Sequence, residues 1–280
     1  MNSDELYKLY QESVNGITTD TRKCGPGMLF FALKGENFNG NTFAREALKK
    51  GCRAAIVDDD ILGEIDGMVL VENVLSTMQS LAKIHRRNFD IPVLGLTGSN
   101  GKTTTKELVN EVLSKKFKVH ATKGNLNNHI GVPLTILSMP NDCEFLVVEM
   151  GANHLGEIKE LANIAEPNFG IITNIGLAHL EGFGNAEGVK KGKRELFDYL
   201  RNTNNSDGSK KEVFVHGGHP ELLEVSEDMD RIIFGTEEKK PKVWFVGEGK
   251  KREIVWSEEG YESDKIQIHL EGDYNLDNIA

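Results

Sequence analysis

Short apolar runs alternate along the chain with segments whose apolar residues recur at helical spacing. From Leu6 to about Asn88, the strand-like runs MLFFAL, AAIV and MVLV alternate with the helical patterns FAREALKK and VLSTMQSLAKIHRRN. Short apolar runs are typical of buried strands, whereas apolar residues at i, i+3 and i+4 indicate a helix that packs along one face. We therefore predict a small N-terminal α/β domain over residues 1–89.

The alternation continues from Pro92 with longer apolar runs. The runs VLGLT, KVHA, EFLVVEM, FGIITNI and EVFVH are separated by helical patterns at 102–115, 156–164 and 187–200. Continuous apolar strands between helices indicate a parallel sheet covered on both faces. After about Ile232 the pattern becomes rich in strands, with KVWFV, REIVW and KIQIHL. We therefore predict a second α/β domain over residues 90–280, with a mostly parallel sheet flanked by helices.

The last residues, EGDYNLDNIA, have the pattern of a turn followed by the first residues of a helix. A helix from Asn275 to Ala280 would be too short to be stable alone. The pattern predicts that the chain is a fragment or lacks a following domain, so that the second domain is incomplete at its C-terminal end.

The composition restricts the classes of function. The formal net charge of −10 argues against a general nucleic-acid binder, so local basic clusters and backbone amides would have to hold any anionic ligand. Cys24, Cys52 and Cys143 form no CxxC pair, and the sequence has no run of about 18 apolar residues and no apolar signal-peptide core. These features predict a protein of the reducing cytoplasm without a membrane span.

A glycine-rich segment after the run VLGLT has the pattern of a phosphate-binding loop. Its glycines would let backbone N–H groups turn inward, and the N-terminus of the following helix would add positive potential. Lys102 would reach the β- and γ-phosphates, and the Thr103 hydroxyl would bind Mg²⁺. The alternative is a tight turn that only closes a βα unit. The predicted ATP-binding residues of the loop are Thr97, Gly98, Ser99, Asn100, Gly101, Lys102, Thr103 and Thr104.

The spacing of this loop departs from the common phosphate-loop rule. That rule requires a glycine at position 96, which is Leu96 here. A second metal ligand is predicted at Glu149, which ends the apolar run EFLVVEM at the edge where parallel sheets bind ligands. A carboxylate there would be costly without a cation nearby. The alternative is a glutamate that simply lies at a strand end.

An ordered set of segments resembles the Mur ligases. TGSNGKTTTKE is followed by KGNLNNHIGVPLT, VVEMGANHLGEI, ITNIGLAHLEGFG and KGKRELF, and the resemblance extends from about Ile17 to the last residue. This family's loop has a glycine, two residues of which the second is Asn or Ser, and then Gly-Lys-Thr, which makes Gly98 its first glycine. The resemblance implies an ATP-dependent, amide-bond-forming ligase of peptidoglycan precursor synthesis. It is greatest for the branch that joins D-alanyl-D-alanine to UDP-N-acetylmuramoyl-tripeptide through an acyl phosphate.

The resemblance also implies sites for the substrate and for adenine. The segment TTDTR would lie near the uridine or diphosphate, although alone it is typical of a polar turn. A cluster of asparagine side chains before IGVPLTIL suits a peptide or sugar ligand, or equally a loop with helix caps. Asn275 would lie near adenine, with Asn278 as the next asparagine of that motif. The candidate substrate-binding residues are Thr19, Asp20, Thr21, Arg22, Asn125, Asn127 and Asn128.

Two further residues are implied at the metal site. His179 matches a Mg²⁺ ligand of the family, although an isolated histidine is more often structural and Mg²⁺ prefers oxygen. Lys193 matches a lysine that reacts with CO₂ to form a carbamate, which requires a neutral amine and hence a lowered pKa. Its alternative is a solvated basic helix face, and Arg194 stands where many relatives have a small residue. The implied metal ligands are Thr103, Glu149, His179 and Lys193, and Lys102 joins the last three as the implied catalytic residues.

Three other functions compete with this interpretation. A P-loop ATPase or GTPase switch lacks support because no Asn-Lys-x-Asp motif is present. A truncated, non-catalytic module that binds UDP-sugar and ATP would suit a chain without an amine-binding domain. A related Mur ligase that adds the third amino acid usually carries Thr-Thr-Pro near NLNNHIGVPLT. We expect a monomer that turns over poorly or not at all on its own.

Overall fold

The computed structural model describes residues 2–176, 179–235, 242–246, 252–258, 261–268 and 278–279. Contacts within the chain form two compact units. The first unit comprises Met1–Asp90, Asn125–Asn141 and Ile164–Glu166. The second unit comprises Ile91–Gly124, Asp142–Asn163 and Pro167–Ala280. The domain limits at 1–89 and 90–280 stay a prediction.

The first unit consists of a small parallel sheet with helices. Its strands are β1 (Ile17–Thr18), β2 (Leu29–Phe31), β3 (Lys34–Gly35), β4 (Phe38–Asn39), β5 (Ala54–Val57) and β6 (Met68–Leu70), and its helices are α1 (Ser3–Gln11), α2 (Ala44–Lys49), α3 (Val74–Arg87) and α5 (Gly131–Leu137). The parallel sheet has the order β1-β2-β5-β6, and β3 pairs with β4 as a separate hairpin.

Apolar strands form the core of the first unit because both faces of the sheet are covered. All residues of β2 and β5 are buried, and Phe30 packs in a cluster with Ala55, Val57 and Met68. The ends of the helices follow from local chemistry. Asn2 and Glu5 form a capping box at the start of α1, in which each side chain accepts a hydrogen bond from the other residue's backbone N–H at 2.9 Å.

The second unit is built on a parallel sheet flanked by helices. Its strands are β7 (Val93–Thr97), β8 (Val119–Ala121), β9 (Phe145–Glu149), β10 (Phe169–Ile172), β11 (Glu212–His216) and β12 (Asp230–Phe234), and its helices are α4 (Lys102–Leu113), α6 (Glu157–Ala165), α7 (Leu180–Phe183), α8 (Ala186–Arg201) and α9 (Pro220–Val225). The strand order is β12-β11-β10-β7-β9-β8, and every pairing is parallel.

The chain then forms antiparallel strands, β13 (Lys242–Val246), β14 (Arg252–Glu258), β15 (Tyr261–Glu262) and β16 (Ile266–Ile268). β14 pairs with each of the other three. The prediction of an α/β fold with a mostly parallel sheet flanked by helices is confirmed. None of the helices in the described ranges has the length and apolar composition that crossing a lipid bilayer requires.

The strand order of the second unit places a crevice beside β7. After β7 the chain moves to one side, to β8 and β9, and later returns to the other side at β10. Ligands of open parallel sheets bind outside the carboxyl ends of the strands at such a reversal. The loop after β7 and the segment after β10 therefore meet at the expected position for a ligand.

Candidate active site

The loop between β7 and α4 has the backbone of an anion cradle. Gly98 has a φ of 150° and Gly101 a φ of 78°, conformations that side chains with a Cβ rarely adopt. A Cβ on Gly98 would lie 1.9 Å from the Thr173 Oγ1, and one on Gly101 would lie 2.3 Å from the Asn278 Oδ1. Both positions therefore require glycine, and the loop leads directly into the N-terminus of α4.

The segment that follows β10 holds this loop in place. The Ser99 N donates to the Asn174 carbonyl oxygen at 3.1 Å, and the Asn100 N donates to the Asn174 Oδ1 at 3.0 Å. The Thr173 hydroxyl donates to the Asn100 carbonyl oxygen at 2.5 Å. The Ser99 hydroxyl donates to the Gly176 carbonyl oxygen at 3.0 Å. Thr173 and Asn174 are not among the predicted site residues, although their polar side chains directly follow the apolar run of β10.

The Lys102 ammonium occupies the mouth of the loop. It donates to the Gly98 and Ser99 carbonyl oxygens at 2.8 and 3.1 Å. Burial lowers the pKa of Lys102, while the Glu149 carboxylate acts in the opposite direction. A bound phosphate would offer this ammonium charged acceptors in place of two carbonyl oxygens.

The two remaining threonines of the predicted loop differ in surroundings. The Thr97 side chain is fully buried, and its hydroxyl donates to the Met150 carbonyl oxygen at 2.7 Å. Thr97 therefore fixes the end of β7 against the chain that follows β9. Thr104 is half-buried in the first turn of α4.

Thr103 and Glu149 are brought together across the edge of the sheet. Glu149 is 1% exposed, and its two carboxylate oxygens accept from the Thr103 hydroxyl at 3.1 and 3.3 Å. Its backbone N donates to the Thr122 hydroxyl at 3.0 Å. A hydroxyl and a carboxylate beside a phosphate loop are the oxygen donors that Mg²⁺ prefers, so this pair fits a Mg²⁺ ion bound with a nucleotide.

Lys193 lies in the middle of α8 with its side chain 1% exposed. Among the described buried side-chain nitrogen and oxygen atoms, its Nζ lacks a hydrogen-bond partner, and it lies 5.4 Å from the centre of the Phe183 ring. Burial and, second, the Lys102 charge lower the pKa of Lys193 to about 8, against the charges of Glu157 and Glu195. The solvated basic face is thus excluded for Lys193, and its amine fits a group that must react in the neutral form.

The remaining predicted ligands are placed differently. His179 is exposed, has a φ of 56° and directly precedes α7. Within the described residues, no three His, Cys, Asp or Glu side chains form a group that could hold a metal ion. The predicted ligand set includes Thr103 and Lys193, which are not among these four residue types. This set therefore stays a prediction. Asn275 lies outside the described residues, whereas the Asn278 Oδ1 accepts from the Thr105 hydroxyl at 3.3 Å.

The first unit contains a large cleft next to its predicted substrate motif. The cleft has a volume of about 1280 Å³, and Thr19 and Asp20 line it together with Tyr7, Tyr10 and His85. Clefts of several hundred Å³ are typical of small-molecule sites, so this one has room for a ligand of that kind.

The acidic and basic residues of this motif pair with each other. Asp20 accepts from the Arg22 Nε and Nη2 at 2.9 and 2.8 Å, and this hydrogen bonding lowers the pKa of the Asp20 carboxyl to about 2. Arg22 is well exposed, and Thr21 begins the short 3₁₀ turn that follows Asp20. An arginine that is exposed and already charged can bind a phosphate without further burial.

The asparagines before α5 have local structural contacts. The Asn128 Oδ1 accepts from the Ile130 and Gly131 backbone N–H groups at 3.1 and 2.9 Å, so Asn128 satisfies two backbone donors at the start of α5. Asn125 is exposed, and its carbonyl oxygen accepts from the Asn127 N at 2.8 Å. Asn128 therefore has a local structural contact at the start of α5, and the binding roles of all three asparagines stay predictions.

Two protein-family models match the chain. The model described as the Mur ligase middle domain matches residues 96–280. The model described as the Mur ligase family, catalytic domain, matches residues 13–93.

Curated proteins and a solved structure show the same similarity. UDP-N-acetylmuramoyl-tripeptide–D-alanyl-D-alanine ligase from Bacillus subtilis is 39% identical over 228 residues, which cover 81% of this chain and 48% of that protein. A protein of the same name from Synechocystis is 45% identical over 185 residues, covering 65% and 41%. MurF ligase from Thermotoga maritima, solved in complex with ADP, has a TM-score of 0.80 and 30% identity, covering 94% of this chain and 60% of that one. The chain thus spans less than half the length of these two curated relatives.

Proposed function

Because the chain belongs to the Mur ligase family, we propose that it acts as an ATP-dependent ligase of peptidoglycan precursor synthesis in the bacterial cytoplasm. Its substrates would be UDP-N-acetylmuramoyl-tripeptide and D-alanyl-D-alanine. The observation that carries this proposal is the 39% identity, over 81% of the chain, with a relative whose name states that reaction. The glycine loop, the Lys102 ammonium and the Thr103–Glu149 pair support the proposal independently, because phosphoryl transfer requires groups of these kinds.

The nucleotide would bind at the loop between β7 and α4. Lys102 and the loop N–H groups would hold the β- and γ-phosphates, with Asn275 near adenine. Thr103 and Glu149 would hold Mg²⁺, which neutralises phosphate charge when bound. The Thr103–Glu149 contact of 3.1 Å and the burial of Glu149 support this assignment.

The reaction would proceed in two steps, formation of an acyl phosphate and then formation of the amide bond. The terminal carboxylate of the tripeptide attacks the γ-phosphorus, the bond to the β-phosphate oxygen breaks, and ADP leaves as the acyl phosphate forms. The amine of D-alanyl-D-alanine then attacks the acyl carbon, inorganic phosphate leaves, and the amine loses a proton. Lys102 contributes by placing positive charge beside the transferred group, since positioning and charge neutralisation dominate such transfers.

Lys193 and His179 would complete the metal site. The buried Lys193 amine, whose pKa is lowered to about 8, has a neutral fraction near neutral pH and could accept CO₂ as a carbamate. The negative oxygen of a carbamate would replace a positive charge with a Mg²⁺ ligand. His179 would ligate from the segment before α7.

The UDP portion of the substrate would bind in the cleft of the first unit. Arg22 would pair with the diphosphate and Asp20 would accept from the base or ribose, with Thr19 and Thr21 beside them. The asparagines Asn125, Asn127 and Asn128 would meet the sugar or peptide.

The test is phosphate release from ATP by the purified chain, given UDP-N-acetylmuramoyl-tripeptide, with and without D-alanyl-D-alanine. Mass spectrometry of the product identifies the added group, which separates dipeptide addition from addition of a single third amino acid. Release that requires both substrates and yields the dipeptide product would establish the ligase.

Nucleotide binding separates the remaining outcomes. Saturable ATP binding without turnover, abolished in Lys102→Ala, would support the alternative of a binding module that holds ATP and UDP-sugar. A chain that does not bind ATP would overturn the proposed function. The control is Lys115→Ala, an exposed lysine beyond the end of α4, which should leave ATP binding unchanged.

A further inference from the structure

Lys106 is a charged residue buried completely in the second unit. It lies on α4 one turn after Lys102, and its side chain is 0% exposed. A buried ammonium is costly unless it is hydrogen-bonded or paired, so its partners should indicate its role. The proposed phosphate contacts of the loop do not include it.

Lys106 has two partners, which differ in how much they stabilise its ammonium group. Its Nζ lies 2.7 Å from the Glu107 Oε1, but the Glu107 side chain is 57% exposed, and ion pairs with exposed groups contribute little. Its Nζ also donates to the Thr122 carbonyl oxygen at 2.7 Å, in a buried hydrogen bond. The hydrogen bond to Thr122 is therefore the main contact that stabilises the buried Lys106 ammonium.

Thr122 directly follows β8, and the regular hydrogen-bond pattern between β8 and β9 ends at this residue. Its backbone N donates to the Val147 carbonyl oxygen at 3.0 Å, as the parallel register requires. In a regular parallel ladder, its carbonyl oxygen would next accept from the Glu149 N. Instead its carbonyl oxygen accepts from Lys106, and its hydroxyl accepts from the Glu149 N at 3.0 Å.

This exchange of acceptors connects Lys106 to Glu149. The Thr122 carbonyl oxygen accepts from Lys106, and the Thr122 hydroxyl accepts from the backbone N–H of Glu149, the residue whose carboxylate contacts Thr103. We propose that Lys106 is a positioning residue that acts through Thr122 to align the Glu149 carboxylate for Mg²⁺. This inference rests on the proposed function, in which Glu149 and Thr103 hold that ion.

The test measures how Mg²⁺ controls ATP binding, independently of turnover. Binding of a fluorescent ATP analogue to the purified chain is titrated with Mg²⁺, and the analogue's affinity is measured again in EDTA. Lys106→Met removes the ammonium, and Thr122→Val removes the hydroxyl at nearly constant shape. Each should raise the Mg²⁺ concentration for half-maximal effect about tenfold, as expected when the support of a metal ligand is lost. Affinity in EDTA should stay within about twofold.

Matched variants separate positioning from general damage. Thr122→Ser keeps the hydroxyl and should behave like the wild type, as should Glu107→Gln, which changes only the exposed partner. Because Lys106 acts through Thr122, the double variant Lys106→Met/Thr122→Val should not exceed the larger single effect.

The outcomes distinguish the two proposals. An unchanged Mg²⁺ midpoint in folded Lys106→Met, or an equal loss of affinity with Mg²⁺ and in EDTA, would overturn the positioning role alone. If Lys106→Met fails to fold, Thr122→Val decides by the same criteria. Wild-type protein without Mg²⁺-dependent ATP binding would overturn the proposed function and this inference together.

Discussion

The side-chain nitrogens of Lys102 and Lys193 differ in the hydrogen-bond acceptors that surround them. The Lys102 ammonium has two carbonyl acceptors, whereas the described surroundings of the Lys193 Nζ provide none. When a buried lysine has no hydrogen bonds to its charged form, the protonation equilibrium shifts toward the neutral amine. The sequence shows four basic residues crowded at 190–194, and only the structure shows that Lys193 is the buried one.

Replacing Lys193 by methionine should stabilise the protein near neutral pH. With a folded pKa of about 8 against about 10.4 unfolded, the unfolded chain binds one more proton between these values, so stability rises with pH there. Below pH 8 the full penalty applies, and Lys193→Met should raise the free energy of unfolding by about 1–3 kcal/mol at pH 7. Urea denaturation at pH 7 and pH 10 in bicarbonate-free buffer measures this gain, which should shrink at pH 10.

The control for this prediction is Lys191→Met, an exposed lysine of the same helix. It should change the free energy of unfolding by less than about 0.5 kcal/mol at either pH. A Lys193→Met variant that is destabilised at pH 7 would contradict the buried, unpartnered ammonium.

A methyl group at Gly98 should disrupt the phosphate loop. Gly98→Ala forces a Cβ to within 1.9 Å of the Thr173 Oγ1, at a φ of 150°. We expect a loss of about 1–3 kcal/mol in the free energy of unfolding and weaker ATP binding. Gly35→Ala, where a Cβ meets nothing within 4 Å, is the control for both measurements. Unchanged stability and binding in Gly98→Ala would show that the loop tolerates a side chain.

At the scale of elements, the apolar pattern predicts the strands better than the short helices. The runs VLGLT and KVWFV coincide with β7 and β13. Our sequence interpretation assigns no helix to IGVPLTIL, yet Gly131–Leu137 form α5. Its β-branched residues and proline are typical of other structures. The Asn128 side chain, however, accepts from the Gly131 backbone N–H at its start, and Pro133 lies in the first turn, where a missing N–H costs little.

The candidate site was also predictable only in part from the sequence. Strand, glycine loop and helix follow one another in sequence, so the cradle and the position of Glu149 at a strand end could be inferred. The contacts of Asn174 with the loop and of Lys106 with Thr122 join segments 16 or more residues apart. Such contacts depend on strand order and on which side chain is buried, and a single sequence does not specify either.

The packing of α1 on α3 should make the first unit sensitive to acid. His85 on α3 is buried between the Tyr7 and Tyr10 hydroxyls at 3.2 Å, and burial lowers its pKa to about 4. Between pH 6.5 and 4 the unfolded chain binds a proton here that the folded chain does not, so stability falls as pH falls. We expect a loss of about 1–3 kcal/mol over that interval.

Hydrogen exchange of the α1 and α3 amides at pH 7 and pH 4.5 checks this, after correction for the intrinsic exchange rates. His85→Phe should lower stability at pH 7 but reduce the further loss on acidification, because nothing at position 85 can then titrate. His129→Gln, at an exposed histidine, is the control and should keep the wild-type pH dependence. An equal pH dependence in His85→Phe and wild type would contradict this role of His85.

At the scale of the whole molecule, the two units offer separate readouts of ligand binding. Both tryptophans, Trp244 and Trp256, belong to the second unit, which also contains the phosphate loop. Both tryptophans are therefore intrinsic probes within the unit to which we assign ATP. The cleft assigned to the UDP portion belongs to the first unit, which contains no tryptophan.

Nucleotide should stabilise the second unit by mass action. At a MgATP concentration about 100 times its Kd, the free energy of unfolding should rise by about 2.7 kcal/mol. Urea denaturation followed by tryptophan fluorescence measures this rise. MgAMP, which lacks the phosphates that Lys102 would contact, should give a much smaller effect. Lys102→Ala should abolish the rise with MgATP, and a rise that persists in this variant would contradict the assigned contact.

The strand order of the second unit also has a kinetic consequence. β7 pairs with β9 through Leu96 and Glu149, and with β10 through Gly95 and Gly170, so each pairing closes a loop of more than 50 residues. Sheets made of such distant pairings fold slowly, because the entropy of loop closure is lost before the contacts form. The phosphate cradle, which needs residues 173–176 as well, can therefore assemble only late in folding. Nucleotide should accordingly slow the unfolding of this protein and leave its folding rate almost unchanged.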